Sequence, residues 1–184
     1  MQEFLPLITD LSCKSKRILE APYDAKAWYA RSSVLTRLGY PELAAGGAYK
    51  ALLLVLAMCK EMAGDTQRTW PVEESDFIST MELSCSRQCK DSSLHIELQK
   101  HLLAPDHHEL AQLDQAVLKG LLEALVFANA AFDAFRMSII ATARYPEHDW
   151  FRKSRTWLQG FCKGKRRNLT HTRSMVTSDD EFDY

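Results

Sequence analysis

The stretch from Ala25 to Leu52 places large apolar residues and closely spaced small residues at helical intervals. Trp28 and Leu35 supply the large side chains, and the small ones that follow a Gly-Tyr-Pro break are Ala44, Ala48 and Ala51. Small side chains allow a neighbouring helix backbone to come close, and large side chains fill the volume that remains. The segment therefore predicts two helices packed as a hairpin.

The composition extends this prediction to the whole chain. Its 184 residues are 46% hydrophobic and include only 7 Gly and 6 Pro. A sheet protein of this length needs more frequent turns, so an all-α fold is favoured. The length favours a single domain, which we place at residues 1–163.

Several residues carry helix-boundary signals. Asp24 and Asp106 are predicted N-caps, Pro41 suits the first turn of a helix, and Gly39 and Asn129 suit turns between helices. Residues 64–106 have weaker patterning and are interpreted as a long insertion, with short helices as one alternative. The predicted helices cover about residues 3–19, 25–38, 41–62, 107–128, 131–144 and 149–163.

Residues 164–184 change in character to a basic, then Ser- and Thr-rich, then acidic tail. Few large apolar side chains are present to offset the entropy lost on ordering, so the sequence predicts a disordered charged tail.

The cellular setting is predicted from cysteines, charge and apolar runs. Five scattered cysteines suit reduced thiols, and no apolar window is long enough to cross a bilayer, which favours a cytoplasmic or nuclear protein. A formal net charge of −1 provides no global field for nucleic acid or an anionic membrane. Neither is expected as a partner, and any such contact would require a local basic patch.

The opening stretch resembles the tetratricopeptide repeat, a helix-turn-helix unit of about 34 residues. With Trp28 at the fourth position of the repeat, Leu35 falls at the eleventh, Gly39 at the fifteenth, and the three alanines at the small positions of the second helix. Arg31 and Ser32 depart from the usual Leu-Gly pair. The resemblance implies antiparallel helical hairpins stacked as a fragment of a right-handed α-solenoid.

A second unit follows when Leu118 is placed in the position of Trp28. The matching residues are then Leu121, Leu122, Leu125, Asn129, Ala134, Ala141 and Pro146. The segment Leu38 to Ala45 is also similar to helical regions of filamentous-fungal proteins, some of which carry a SET methyltransferase domain. SET and MYND motifs are missing from this chain, so the resemblance does not imply methyl transfer.

The insertion contains the best candidate for metal chemistry. Zinc sites use Cys and His ligands, and they permit the spacing of two cysteines four residues apart. The candidate ligands here are Cys85, Cys89, His95 and His101. Two cysteines four apart are equally explained as neighbours on one helix face, and the histidines as solvent-facing residues. We therefore expect neither a metal nor another cofactor.

Motifs for nucleophilic catalysis, phosphate binding and His-Glu metal ligation are not found in the sequence, which favours a non-enzymatic protein. Pairs such as Asp114 with Lys119 are interpreted as ordinary surface charges.

The predicted function is that of an adaptor or scaffold whose groove binds a peptide or helix of a partner protein. The candidate groove residues are Tyr29, Arg31, Ser32, Thr36 and Lys119. An apolar stripe on the last helix, which includes Trp150 and Trp157, is expected to cap the repeats, with a docking face as the alternative. Two other functions remain open: a regulatory or accessory module of a larger enzyme such as a methyltransferase, and a homo-oligomer that associates through this stripe.

Overall fold

A computed structural model describes residues 4–62 and 104–176 of the chain. Six helices make up these residues, which contain no β-strand. In chain order they are α1 (Phe4–Glu20), α2 (Ala25–Arg37), α3 (Pro41–Met62), α4 (His108–Phe127), α5 (Ala131–Arg144) and α6 (Asp149–Val176). The predicted all-α fold is confirmed for the described residues.

Local chemistry explains how α2 begins and ends and how α3 begins. The Asp24 carboxylate accepts hydrogen bonds from the backbone N–H groups of Lys26 and Ala27, which confirms Asp24 as the N-cap of α2. Gly39 adopts a φ of 82° in the turn that follows, a conformation that is strained for residues with a Cβ. Pro41 is the first residue of α3, where its missing N–H costs nothing.

Two predicted boundaries differ from the structure. The N-cap residue of α4 is His107 instead of Asp106, and no side-chain hydrogen bond caps this helix. The backbone of α6 continues to Val176, beyond the predicted end at Lys163. Lys and Arg, which are frequent after Gly164, favour helix when apolar packing does not decide.

The small residues of α3 allow it to pack closely on α2. Ala44, Ala48 and Ala51 are fully buried, as the sequence predicts. A Cβ added to Gly47 would lie 3.4 Å from the Ser32 Cβ and 3.6 Å from the Trp28 carbonyl oxygen. The backbones of α2 and α3 therefore approach with little space between them.

The core continues from α3 through α4 and α5 into α6, where Cys162 is the last buried residue described. Each helix packs against the next one from α1 to α6, including α3 against α4, which are far apart in sequence. In addition, α2 contacts α4. The largest fully buried side chains come from α3 to α6 and include Leu52, Leu118, Leu125, Met137, Ile140, Phe151 and Leu158.

The segment Pro41–Cys59 of α3 is long and apolar enough to span a bilayer by length and mean hydropathy. The prediction that no apolar window is long enough to cross a bilayer is therefore wrong for this segment. However, 61% of this window is buried inside the fold, where α3 packs between α2 and α4. Core packing therefore accounts for its apolar character.

Candidate functional site

Tyr29 and Gly120 form the contact between α2 and α4. A Cβ added to Gly120 would lie 3.0 Å from the Tyr29 Cε2 atom, so the missing side chain makes room for the tyrosine ring. Burial and the nearby Glu123 carboxylate both raise the pKa of the Tyr29 phenol, which keeps it a neutral hydrogen-bonding group. Tyr29 is half-buried, so part of its side chain lies at the surface between the two helices.

Lys119 connects α4 with α6 on the neighbouring surface. Its ammonium nitrogen lies 5.9 Å from the centroid of the Trp150 ring, within range of a cation–π interaction. Lys119 and Trp150 are both half-buried. Together with Tyr29, Gly120 and Glu123, they define a surface to which three helices contribute, which we call the α2–α4–α6 face.

Two of the predicted groove residues lie elsewhere. Ser32 is 2% exposed and donates a 2.6 Å hydrogen bond to the Ala44 carbonyl oxygen, so it joins α2 to α3. Arg31 donates through Nε to the Ser15 hydroxyl on α1. The structure therefore does not bring them together with Tyr29, because helical geometry directs Ser32 towards α3 and Arg31 towards α1 while Tyr29 faces α4.

Thr36 follows Tyr29 by seven residues, or about two helical turns, and therefore lies on the same side of α2. Its hydroxyl donates to the Ser32 carbonyl oxygen of its own helix, and its side chain is half-buried. Thr36 therefore continues the α2–α4–α6 face along α2, although its hydrogen bond is to its own helix and not to α4.

The apolar stripe of α6 separates into two groups. Phe151 and Leu158 are buried in the core, which agrees with a helix that covers the end of the fold. Trp157 and Phe161 remain 55% and 40% exposed, with their rings stacked at a centroid distance of 5.4 Å. Trp157 follows Trp150 by seven residues, or about two helical turns, and therefore lies on the same side of α6, farther along the helix.

A buried polar cluster joins α4 to α5, and the sequence did not reveal it. The side chains of Asp114 and Arg144 are both fully buried, and Arg144 Nη1 lies 2.8 Å from Asp114 Oδ1. The Tyr145 hydroxyl donates a 2.7 Å hydrogen bond to Asp114 Oδ2. The interpretation of Asp114 as a surface charge paired with Lys119 is wrong, because Asp114 occupies the core-facing side of α4.

Opposing effects act on the ionisation of this cluster. Burial raises the pKa of the Asp114 carboxyl, and the charge of Arg144 together with hydrogen bonds from Tyr145 and Arg144 opposes that rise. Burial also raises the pKa of the nearby Cys59 thiol, and the Asp114 carboxylate raises it further. A thiol with a raised pKa is a poor nucleophile, so the cluster favours a structural role.

A cavity of about 390 Å³ lies beside the first turns of α2 and α4 and the last turn of α3. Apolar side chains line much of it, namely Met58, Met62, Leu110 and Leu113. Lys26, Asp24 and Glu109 also border it. Its volume lies within the range of small-molecule sites.

The candidate metal ligands Cys85, Cys89, His95 and His101 all lie outside the described residues. Within residues 4–62 and 104–176, no group of three His, Cys, Asp or Glu side chains could hold a metal ion. The described free cysteines are Cys13, Cys59 and Cys162.

Comparisons with known proteins gave no relative: no family model, curated protein or solved structure matches this chain.

Proposed function

We propose that this chain is a tetratricopeptide-like adaptor that binds a peptide or helix of a partner protein on its α2–α4–α6 face. The observation that carries the proposal is that α2 and α6 meet α4 at adjacent residues, where Tyr29 contacts Gly120 and Trp150 contacts Lys119. An aromatic surface with a nearby cation and carboxylate offers both apolar contact and orienting polar groups, which peptide sites combine.

The order of helix packing supports the repeat assignment. In a solenoid each helix packs on its neighbours in sequence, and the first helices of successive hairpins line one surface. Here each helix packs against the next, and α2 also contacts α4. In this assignment α2 and α4 are the first helices of two hairpins, and α6 follows them as the terminal helix.

The turn residues support the same assignment. Gly39 and Asn129 both adopt positive φ values, 82° and 59°, at equivalent places between paired helices. Both were matched to the turn of the repeat, so the two proposed units share a turn geometry as well as a residue pattern.

The proposed role is binding without catalysis. Among the described residues, the best-formed polar pair is Asp114 with Arg144, and the complete burial of both side chains supports a structural role for them. The same face would also serve a regulatory module of a larger enzyme, because binding a peptide requires no catalytic group on this chain.

Selection from a random peptide library tests the proposal. The full chain is immobilised, and enriched peptides are then measured against Lys119→Glu and against Lys16→Glu, a charge reversal at an exposed residue of α1. We expect Lys119→Glu to weaken binding by at least about tenfold, as loss of a central interface residue commonly does. Lys16→Glu is expected to leave binding unchanged.

A selection in which no peptide distinguishes these two variants would contradict the assignment of the face. Circular dichroism of both variants shows whether each remains helical, so that lost binding is not confused with unfolding.

A further inference from the structure

Lys153, Trp157 and Phe161 form a ridge along α6. They are spaced at four-residue steps and therefore share one side of the helix. Trp157 is 55% exposed and Phe161 40% exposed, while Phe151 and Leu158 hold the same helix in the core. The ridge therefore presents two aromatic rings outward from a helix that is fixed to the fold.

The surface beside the aromatic rings is open. A Cβ added at Gly160 or at Gly164 would meet nothing within 4 Å. Both glycines therefore place no side chain of their own between an approaching broad surface and the rings.

Charge is distributed unevenly between α6 and the remaining chain. The α6 sequence contains eight Lys and Arg residues, and its single acidic residue is Asp149. Asp149 forms an ion pair with Arg152. Since the whole chain has a formal net charge of −1, the net charge outside α6 is negative. The near-neutral total therefore conceals a concentration of positive charge in the sequence of α6.

We propose that the Lys153–Trp157–Phe161 ridge binds an anionic phospholipid surface. Helices that lie in a membrane interface combine Lys and Arg with exposed aromatic side chains, and the two contributions add. The basic residues attract the helix to the headgroups, and Trp157 and Phe161 enter the boundary between headgroups and acyl chains. This contact uses Lys153, Trp157 and Phe161, whereas the proposed peptide site uses Tyr29, Lys119 and Trp150.

Two other occupants fit the ridge less well. A second copy of the chain would bring two strongly basic helices together, which like-charge repulsion disfavours. Single-stranded nucleic acid requires ring faces on which bases stack. Trp157 and Phe161 stack on each other with an interplanar angle of 18°, which occupies one face of each ring.

Vesicle flotation with the full chain tests the proposal. The probes are phosphatidylcholine vesicles with and without phosphatidylserine, at low and at high salt. Phe161→Ser is compared with Phe132→Ser on α5, because both phenylalanines are 40% exposed and only Phe161 belongs to the ridge. Lys153→Glu tests the electrostatic contribution, and circular dichroism monitors folding of each variant.

We expect flotation only with phosphatidylserine present, and loss of flotation at high salt. Phe161→Ser and Lys153→Glu should each lower the partition coefficient by at least about fivefold, while Phe132→Ser should leave it unchanged. Absence of flotation, equal flotation with neutral vesicles, or equal loss from the two serine variants would overturn the proposal.

Two further results would assign the ridge to another occupant. Tighter binding to a poly-uridine oligonucleotide than to phosphatidylserine vesicles would assign the ridge to single-stranded nucleic acid. A dimer in light scattering that Phe161→Ser dissociates would assign it to a second copy of the chain. Either result overturns the membrane proposal.

Discussion

Asp114 shows how far the sequence pattern of one residue can be interpreted. Leu110, Asp114, Val117 and Leu121 follow helical spacing, so the carboxylate could have been placed among core-facing residues from the sequence. Its partner Arg144 lies on another helix, and only the packing of α4 on α5 brings the two together. Local periodicity can therefore predict the burial of Asp114 but not the residue that compensates its charge.

Replacing Arg144 by Met should strongly destabilise the fold. The change leaves the Asp114 carboxylate buried without its cationic partner, and loss of one member of a buried pair typically costs about 3–5 kcal/mol. Urea unfolding at neutral pH measures this loss. Arg152→Met, which breaks the exposed pair with Asp149, is the matched control and should leave the unfolding midpoint nearly unchanged.

The same variant gives a prediction for pH. Without Arg144, the charge that opposes the raised pKa of Asp114 is gone, so the folded-state pKa rises further above the unfolded value. Stability from such a group is present at low pH and is lost as pH rises through the folded-state pKa. The deficit of Arg144→Met relative to wild type should therefore shrink on acidification, and a deficit that grows would contradict an uncompensated buried carboxylate.

At the level of helices, boundaries set by strong local signals were predicted best. Asp24, Gly39, Pro41 and Asn129 each act within a few residues, through a cap, a positive φ or a fixed φ. The start of α4 was misplaced by one residue because His107, without a side-chain cap bond, occupies the N-cap position. The end of α6 was misplaced because apolar periodicity fades before the backbone helix ends.

Two helix glycines should respond differently to substitution by alanine. Gly160→Ala should stabilise the fold by about 0.5–1 kcal/mol, since alanine favours helix and the added Cβ meets nothing within 4 Å. At Gly120 the same gain is opposed by a contact of 3.0 Å with the Tyr29 ring. Thermal unfolding should rank Gly160→Ala above Gly120→Ala, and the reverse order would show that α2 and α4 do not approach closely at this point.

For the whole molecule, hydrophobic pattern predicted the fold class and much of the core, but only part of the candidate site. Tyr29 and Lys119 lie at contacts between helices, and their role in partner binding stays a prediction. The burial of Ser32 against α3 could not be predicted, because a small polar residue at a helix contact has the same sequence signature as one in a groove. The basic residues after Gly164 were assigned to a disordered tail, so the concentration of positive charge on one helix, α6, was not predicted.

The packing of α2 on α3 can be tested with a charge at Ala48. Because Ala48 is fully buried, Ala48→Glu should introduce an unpaired charge and excess volume, at a cost of roughly 3 kcal/mol or more. Ser33→Glu, at an exposed residue of α2, should shift stability by less than about 0.5 kcal/mol. Chemical unfolding of both variants provides the comparison, and similar midpoints would show that the small face of α3 is not closely packed.

The central claim is that a partner segment binds where α2, α4 and α6 meet, and NMR of the full chain with a library-selected peptide tests it most directly. The account predicts shifts at the backbone amides of Tyr29, Lys119, Gly120 and Glu123 and at the indole N–H of Trp150. The backbone amide of Lys16, an exposed residue of α1, should be little affected. Shifts confined to Trp157, or to the cavity lined by Met58 and Leu110, would contradict the account.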